Sequence, residues 1–428
     1  MSNAGSSTPS VSEGRRESWI LVATGAAALA PYLIYHRLFL QLFWFGDEFD
    51  LIDQIDRLGL WKWVWMAFAE NFVPLFKSLW GGSVLLSGGS YAFMIAIVWV
   101  THAANVALLG RLMRTCGLSW CAVLFAQVVF GLSVENLETL AWSVQWSAML
   151  SVTFMLLGLD RIFRSVTLRP PLVYTVASGL SFSRGALTGP ILGCAYFLLD
   201  TGSPFVRRCL RASVFLLPAV AVAGLIFALA NGNQHAMGGH MVQAAVFGLW
   251  YFCLNPIHQL LLVESWGWRT TIIIGALKVG LLAWSVARSK GPARVLFMVL
   301  VLFDLANAAL LGIGRYHTGL PSTVSSRYQY ASMIAVLPMA GFWLSHQWRR
   351  VTDSWSFLSP AYGIALAVLA VVLCRQWPDD LVPFAQWRGA DSRQVLFIDS
   401  NPDSRAVPGI PGLPMDRAKE LIARYHLH

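Results

Sequence analysis

Apolar stretches close to the length of a bilayer crossing recur along the whole chain, separated by short polar connections. They fall at 19–40, 91–110, 120–134, 146–159, a divided stretch at 172–199, then 213–231, 270–287, 295–313, 330–345 and 358–374. A helix needs about 20 apolar residues to cross the hydrocarbon core. With the divided stretch counted twice, the pattern predicts an all-α polytopic membrane protein of about eleven transmembrane helices. Two regions depart from simple hairpins. The halves of 172–199 reach only roughly 18–21 Å each at about 1.5 Å per residue, short of a core of about 30 Å. The turn between them, at 181–185, would lie below the surface, where irregular backbone is tolerated only against protein or a water-filled cavity. That predicts a cavity open to the outer leaflet. The stretch 241–263 is also long enough to cross, but a crossing there would place the basic loop 288–294 on the wrong side. It is read as an interfacial or re-entrant segment of the outer face. Trp250, Tyr251, Trp266 and Trp268 suit that belt position, as do Trp61, Trp63, Trp65 and Trp80 of the first outer loop.

Composition agrees with this pattern. Hydrophobic residues make up 56% of the chain and charged ones 12%, where soluble domains carry about a quarter. Mean hydropathy is +0.58. The net charge of +9 is explained by topology, and no nucleic-acid partner is expected. Fifteen of the 31 Lys and Arg residues, from Arg15 and Arg16 to Arg349 and Arg350, fall in alternate short loops. The positive-inside rule makes those loops cytoplasmic, so the N-terminus is expected inside and the C-terminus outside. Residues 1–14 read as a disordered cytoplasmic N-terminus, 15–374 as the transmembrane domain with a first outer loop at 45–90, and 375–428 as a small extracytoplasmic tail. That tail offers one short strand at 395–398 and one helix at 415–425, too little for a core of its own. A cleaved signal peptide is the rival account of the N-terminus, since Arg15 and Arg16 precede an apolar run through Ala28 and Ala30. The run continues past Ala30, which favours a retained first helix. The six cysteines are scattered without zinc-like spacing. The Lys-Ser/Thr phosphate loop, the His-Glu-x-x-His zinc motif and the Gly-x-Ser-x-Gly elbow are all absent.

The candidate chemistry begins just after the first span. Asp47, Glu48, Asp50, Asp53 and Asp56 put five acids in ten residues, where 22 acids in 428 residues would supply about half of one. Carboxylates are costly beside lipid, so such a cluster at a helix exit calls for a reason. Asp50, Asp53 and Asp56 fall three apart, along one side of a helix, and read most simply as a wet face. Further on, the first outer loop carries residues 71–76 (NFVPLF) and a Gly-rich return at 81–89.

Here the chain resembles the GT-C glycosyltransferases, polytopic enzymes that take sugars from polyprenyl-phosphate carriers on the outer face of the membrane. Asp47 and Glu48 are similar to the acidic motif of that superfamily. Residues 71–76 are similar to a following motif written with Glu-His before an apolar-Pro pair; the His is absent here. The likeness extends through Glu135, Glu138, Trp142 and Gln145, through Ser183 and Arg184, and through Ser326, Arg327 and Tyr328.

That resemblance implies a polyprenyl-phosphate sugar as donor, a cell-envelope glycan or lipid as acceptor, and a multi-pass location in a bacterial inner membrane. The active site would be extracytoplasmic. Transfer from a lipid phosphate to a hydroxyl needs one carboxylate base within reach of the attacking oxygen and cations on the leaving phosphate. Asp47 is the expected base, with Glu48 assisting. Arg184, Arg327 and Arg37 are the phosphate candidates, and Glu135, Glu138 and Asp50 the acceptor candidates. His36, Lys77, Arg315, His317 and Tyr328 are weaker ones. No residue is assigned to a metal; Mg or Mn is compatible with the acidic motif without being required by it. Lys278 and Asp304 sit at similar depth on consecutive spans and are expected to pair structurally. His102 is read as a contact between helices. Two other functions remain open: a transporter or flippase of lipid-linked glycans, needing mid-membrane acids, and a glycan ligase or polymerase, working without a carboxylate base. Asp47→Asn separates all three.

Overall fold

In a computed structural model of the protein, residues 11–67, 71–229, 240–260, 267–352, 358–390 and 413–428 are described. The strand expected at 395–398 and most of the expected N-terminal tail lie outside them. Among the described residues every regular element is helical, and the chain is an all-α polytopic membrane protein. Six helices among the described residues are long and apolar enough to cross a membrane: Tyr91–Thr115, Ser143–Arg164, Phe205–Leu225, Trp268–Arg288, Gly291–Thr318 and Pro360–Gly389. A seventh is counted if Trp120–Leu132 and Val134–Leu140, bent by 53°, form one span. Of the other expected spans, 330–345 lies within the undivided helix Ser326–Thr352, and two apolar stretches are divided. The first breaks into Val11–Ala27, Ala30–Ile34 and His36–Phe39, with Pro31 opening a new helix where its missing N–H costs nothing. The stretch at 172–199 divides into Arg169–Ser181, a 3-10 turn at Ser183–Leu187, and Thr188–Leu199.

The molecule has two chemically distinct ends. Tyr91 and Arg114 lie near opposite ends of one helix, 23 residues apart, which is about 35 Å. At one end Asp160 pairs with Arg111 at 2.9 Å and Arg164 at 3.1 Å, and Arg114 pairs with Glu17. The acidic helix Asp47–Leu58 sits at the other end, bound through Glu48 to Tyr91.

Helices in lipid associate by close packing, which small residues permit. Met241–Leu254 runs antiparallel beside Gly291–Arg315. A Cβ on Gly312 would come 2.3 Å from the Ala244 carbonyl oxygen, and one on Gly248 would come 2.8 Å from that of Ala308. The shorter helix descends from the level of Gly312 to that of Asp304. There the Lys278 ammonium lies 2.6 Å from Asp304 Oδ2 and donates to the Phe252 and Asn255 carbonyls at 2.7 and 2.6 Å. All three ammonium protons thus have an acceptor.

The loop at 45–90 is packed rather than laid along an interface. Trp44, Trp63 and Trp80 are fully buried. Trp44 donates to the Gly89 carbonyl at 3.1 Å and Trp80 to Ser143 Oγ at 2.9 Å. Of the tryptophans expected at the belt, Trp61 and Trp65 are exposed, while Trp63 and Trp80 are core. Lys77 is buried with them, donating to the carbonyls of Trp63 and Met66 at 3.0 and 2.9 Å. It ties the loop together.

Candidate functional site

The five acids separate into two groups once the helix forms. Gly46, at φ 55°, turns the chain into Asp47–Leu58 in a backbone region that favours glycine. Three acids in the first turn suit the positive end of the helix dipole. Glu48 points inward and is fully buried. It accepts from Phe45 N–H at 2.8 Å, Ser143 N–H at 3.1 Å, the Ser143 hydroxyl, and Tyr91 OH at 3.2 Å. Four donors fill its acceptor capacity, so it anchors the acidic helix to two others. Asp53 and Asp56, expected on a wet face, are covered by the helix Met415–Tyr425. Arg417 reaches Asp53 at 2.7 Å and Asp56 at 2.6 Å, Arg424 reaches Asp56 at 2.9 Å, and Tyr425 donates to Asp56 at 3.0 Å. Although desolvation raises it, these hydrogen bonds and charges hold the Asp56 carboxyl below its ordinary pKa.

Asp47 and Asp50 remain exposed. Partial desolvation raises the Asp47 pKa above the ordinary aspartate value, opposed by the charges of Arg388, Arg315 and Arg327. Those arginines end or begin three different helices. Asp50 is raised too, first by desolvation and then by Asp47 and Asp53; it accepts from Gln54 at 2.9 Å.

Arg388 is the residue that the sequence reading missed. The helix entered at Leu358 runs past 374 to Ala385 and continues as a π-helical turn, Gln386–Ala390. The Arg388 guanidinium is 2% exposed and lies 4.4 Å from the ring centres of both Phe45 and Trp142, with Phe384 and Trp387 at 5.1 Å. Such cation–π contacts stabilise a desolvated arginine. A signal was present: an arginine flanked by Phe384 and Trp387 at the end of an apolar helix.

The other candidates lie as follows. Glu138 Oε2 accepts from Ser325 and Ser326 hydroxyls at 3.0 and 3.3 Å and from Arg327 N–H at 3.4 Å. It therefore caps Ser326–Thr352, and its other oxygen is 3.8 Å from Arg327. The sequence reading grouped Arg184 with Asp47, and the structure separates them. Arg184 is 9% exposed and donates to Asn307 Oδ1 at 3.2 Å. Asn307 is eight residues from Arg315, so Arg184 lies about 12 Å deeper. Arg37 is exposed on His36–Phe39 and is not among the arginines acting on Asp47. His102 contacts Tyr330 OH and the Gly131 carbonyl, each at 3.2 Å, inside the bundle. Among the described residues no three His, Cys, Asp or Glu side chains gather as a metal site.

The anchoring role of Glu48 carries a prediction. Burial pushes its carboxyl up to about 7, against the Ser143 hydrogen bond, the Arg388 charge and the bonds from Phe45 and Tyr91. The folded protein therefore holds this proton more tightly than the unfolded chain. The stabilisation is full below the ordinary value of 4.5 and is lost as pH rises through about 7. Glu48→Ala should flatten that part of the pH–melting curve in detergent. Its stranded buried donors should also cost about 3 kcal/mol in total.

The chain matches no family model and no curated protein. Among solved structures it is similar to the archaeal oligosaccharyltransferase AglB from Archaeoglobus fulgidus, determined with an inhibitory peptide and a dolichol-phosphate. The TM-score is 0.47 and the identity 13%, over 95% of this chain and 61% of that one. The present chain thus spans about three-fifths of that protein's length.

Proposed function

We propose that this chain is an inverting glycosyltransferase. It moves a sugar from a polyprenyl-phosphate carrier to a glycan or lipid acceptor at the extracytoplasmic face of a bacterial inner membrane. The observation that carries the reading is one exposed carboxylate, Asp47, under the charges of arginines from three separate helices. The acceptor oxygen attacks the anomeric carbon while Asp47 takes its proton. The carbon–oxygen bond to the phosphate breaks, and its electron pair leaves with the phosphate. Arg315 and Arg327, at the rim, receive that charge. Arg388, sealed among aromatic rings, supplies fixed positive charge behind the carboxylate. A single displacement inverts the anomeric centre. Glu48 and Lys77 hold the loop that presents Asp47.

The flippase reading has less to draw on. It needs mid-membrane acids free to relay ions, and Asp304 is held by Lys278. The test is incubation of the full-length protein, in detergent or nanodiscs, with a panel of synthetic polyprenyl-phosphate sugars and glycan acceptors. Donor turnover with inversion at the anomeric carbon is the expected result. Folded protein that consumes no donor would sink the proposal.

A further inference from the structure

A cavity of about 450 Å³ lies beside the Asp47 group, within the range of small-molecule sites, about 300–1,000 Å³. Glu135, Ser326, Asp380, Phe384 and Trp387 are among its walls. It shares structure with the group around Asp47 at two points. The Trp387 ring is 5.0 Å from that of Phe45, two residues before Asp47, and Ser326 directly precedes Arg327.

The walls combine two chemistries. Glu135 and Asp380 lie within reach of each other's charge. Among the described residues, neither carboxylate is engaged by a hydrogen-bond donor or a cation. Two unengaged carboxyl groups at one cavity are satisfied by any ligand that brings hydroxyls. Trp387 and Phe384, their rings 5.9 Å apart, offer an apolar face to the same space. A metal ion would satisfy the acids and leave the rings unused; an acyl chain would do the reverse. A sugar ring carries both a C–H face and a rim of hydroxyls.

We infer that this cavity is a saccharide subsite, with the ring lying on Trp387 and its hydroxyls donating to Glu135 and Asp380. Whether the sugar belongs to acceptor or donor rests on the glycosyl-transfer reading; the binding itself does not.

The test uses saturation-transfer NMR on the full-length protein in a detergent without a sugar headgroup. The probes are methyl α-mannopyranoside, methyl β-glucopyranoside and methyl α-arabinofuranoside. Transfer to the ring protons of at least one probe is expected. Trp387→Ala and Asp380→Asn should each weaken it about tenfold, the size of one lost charged hydrogen bond or less. Glu17→Gln, at the opposite end of the molecule beside Arg114, should leave it unchanged. If Trp387→Ala lowers the melting temperature, the exposed, isosteric Asp380→Asn decides the matter. No transfer from any probe to folded wild-type protein, or transfer indifferent to both variants, overturns the inference. Once a donor is known, a raised acceptor KM assigns the subsite to the acceptor and a raised donor KM to the donor. Glycoside binding without any donor turnover would leave the subsite standing and remove the enzyme.

Discussion

On the proposed function, Asp47→Asn is expected to lower sugar transfer by about a hundred- to ten-thousandfold, the range that a positioned general base contributes, and to leave the melting temperature unchanged. The two outcomes go together because Asp47 is exposed and holds nothing in place, whereas Glu48 beside it does. The variant keeps the shape of the side chain and the three arginines, so donor binding persists and only proton acceptance is lost. The pH profile adds a second readout. A base works unprotonated, so transfer falls as pH drops through the Asp47 pKa. Desolvation raises that pKa above the ordinary aspartate value despite Arg388, Arg315 and Arg327. The acid limb of kcat/KM therefore lies higher than the ordinary aspartate value would place it, and Asp47→Asn abolishes the limb. A transporter would keep moving its cargo with asparagine at this position, and a ligase lacking a carboxylate base would keep its rate.

Lys278→Met is expected to be the most damaging single substitution for the fold. Both partners of the pair are buried, at 0% and 1% exposure. Removing the ammonium strands Asp304 and also releases the Phe252 and Asn255 carbonyls, which terminate the descending Met241–Leu254 helix. Breaking one side of a buried ion pair costs about 3–5 kcal/mol, enough to consume much of the usual margin of stability. The double variant Lys278→Met/Asp304→Leu should recover a large part of that loss, because no unpaired charge remains. Melting curves of the four proteins in one detergent close the cycle. Additive losses would mean that the two charges do not depend on each other.

What the sequence discloses here follows from what periodicity and counting can measure. Depth is countable: residues from a helix end place Lys278 and Asp304 at the same level, and the short halves of 172–199 stop the Arg184 turn below the surface. Azimuth is not countable. Nothing in the 181–185 segment says that Arg184 faces Asn307 rather than the Asp47 group. Covering partners are equally hidden. The three-residue spacing of Asp50, Asp53 and Asp56 describes a wet face until Arg417 and Arg424, more than 350 residues later, close over two of them. Arg388 was lost for a different reason. Pro378, Asp379, Asp380 and Pro383 dilute the apolar pattern, so it ends at 374 while the backbone stays helical through Ala385. Prolines are tolerated in such a helix because other groups satisfy the freed carbonyls.

The most direct measurement is of position. A polyprenyl phosphate carrying a photoreactive diazirine beside the phosphate would be bound to the full-length protein in nanodiscs, irradiated, and the adducts mapped by mass spectrometry. Transfer at the Asp47 group predicts labels confined to the neighbourhood of Asp47, Arg315, Arg327 and Arg388. Labels gathered instead around Arg111, Arg114 and Arg164, about 35 Å away at the other end of the Tyr91–Thr115 helix, would contradict it.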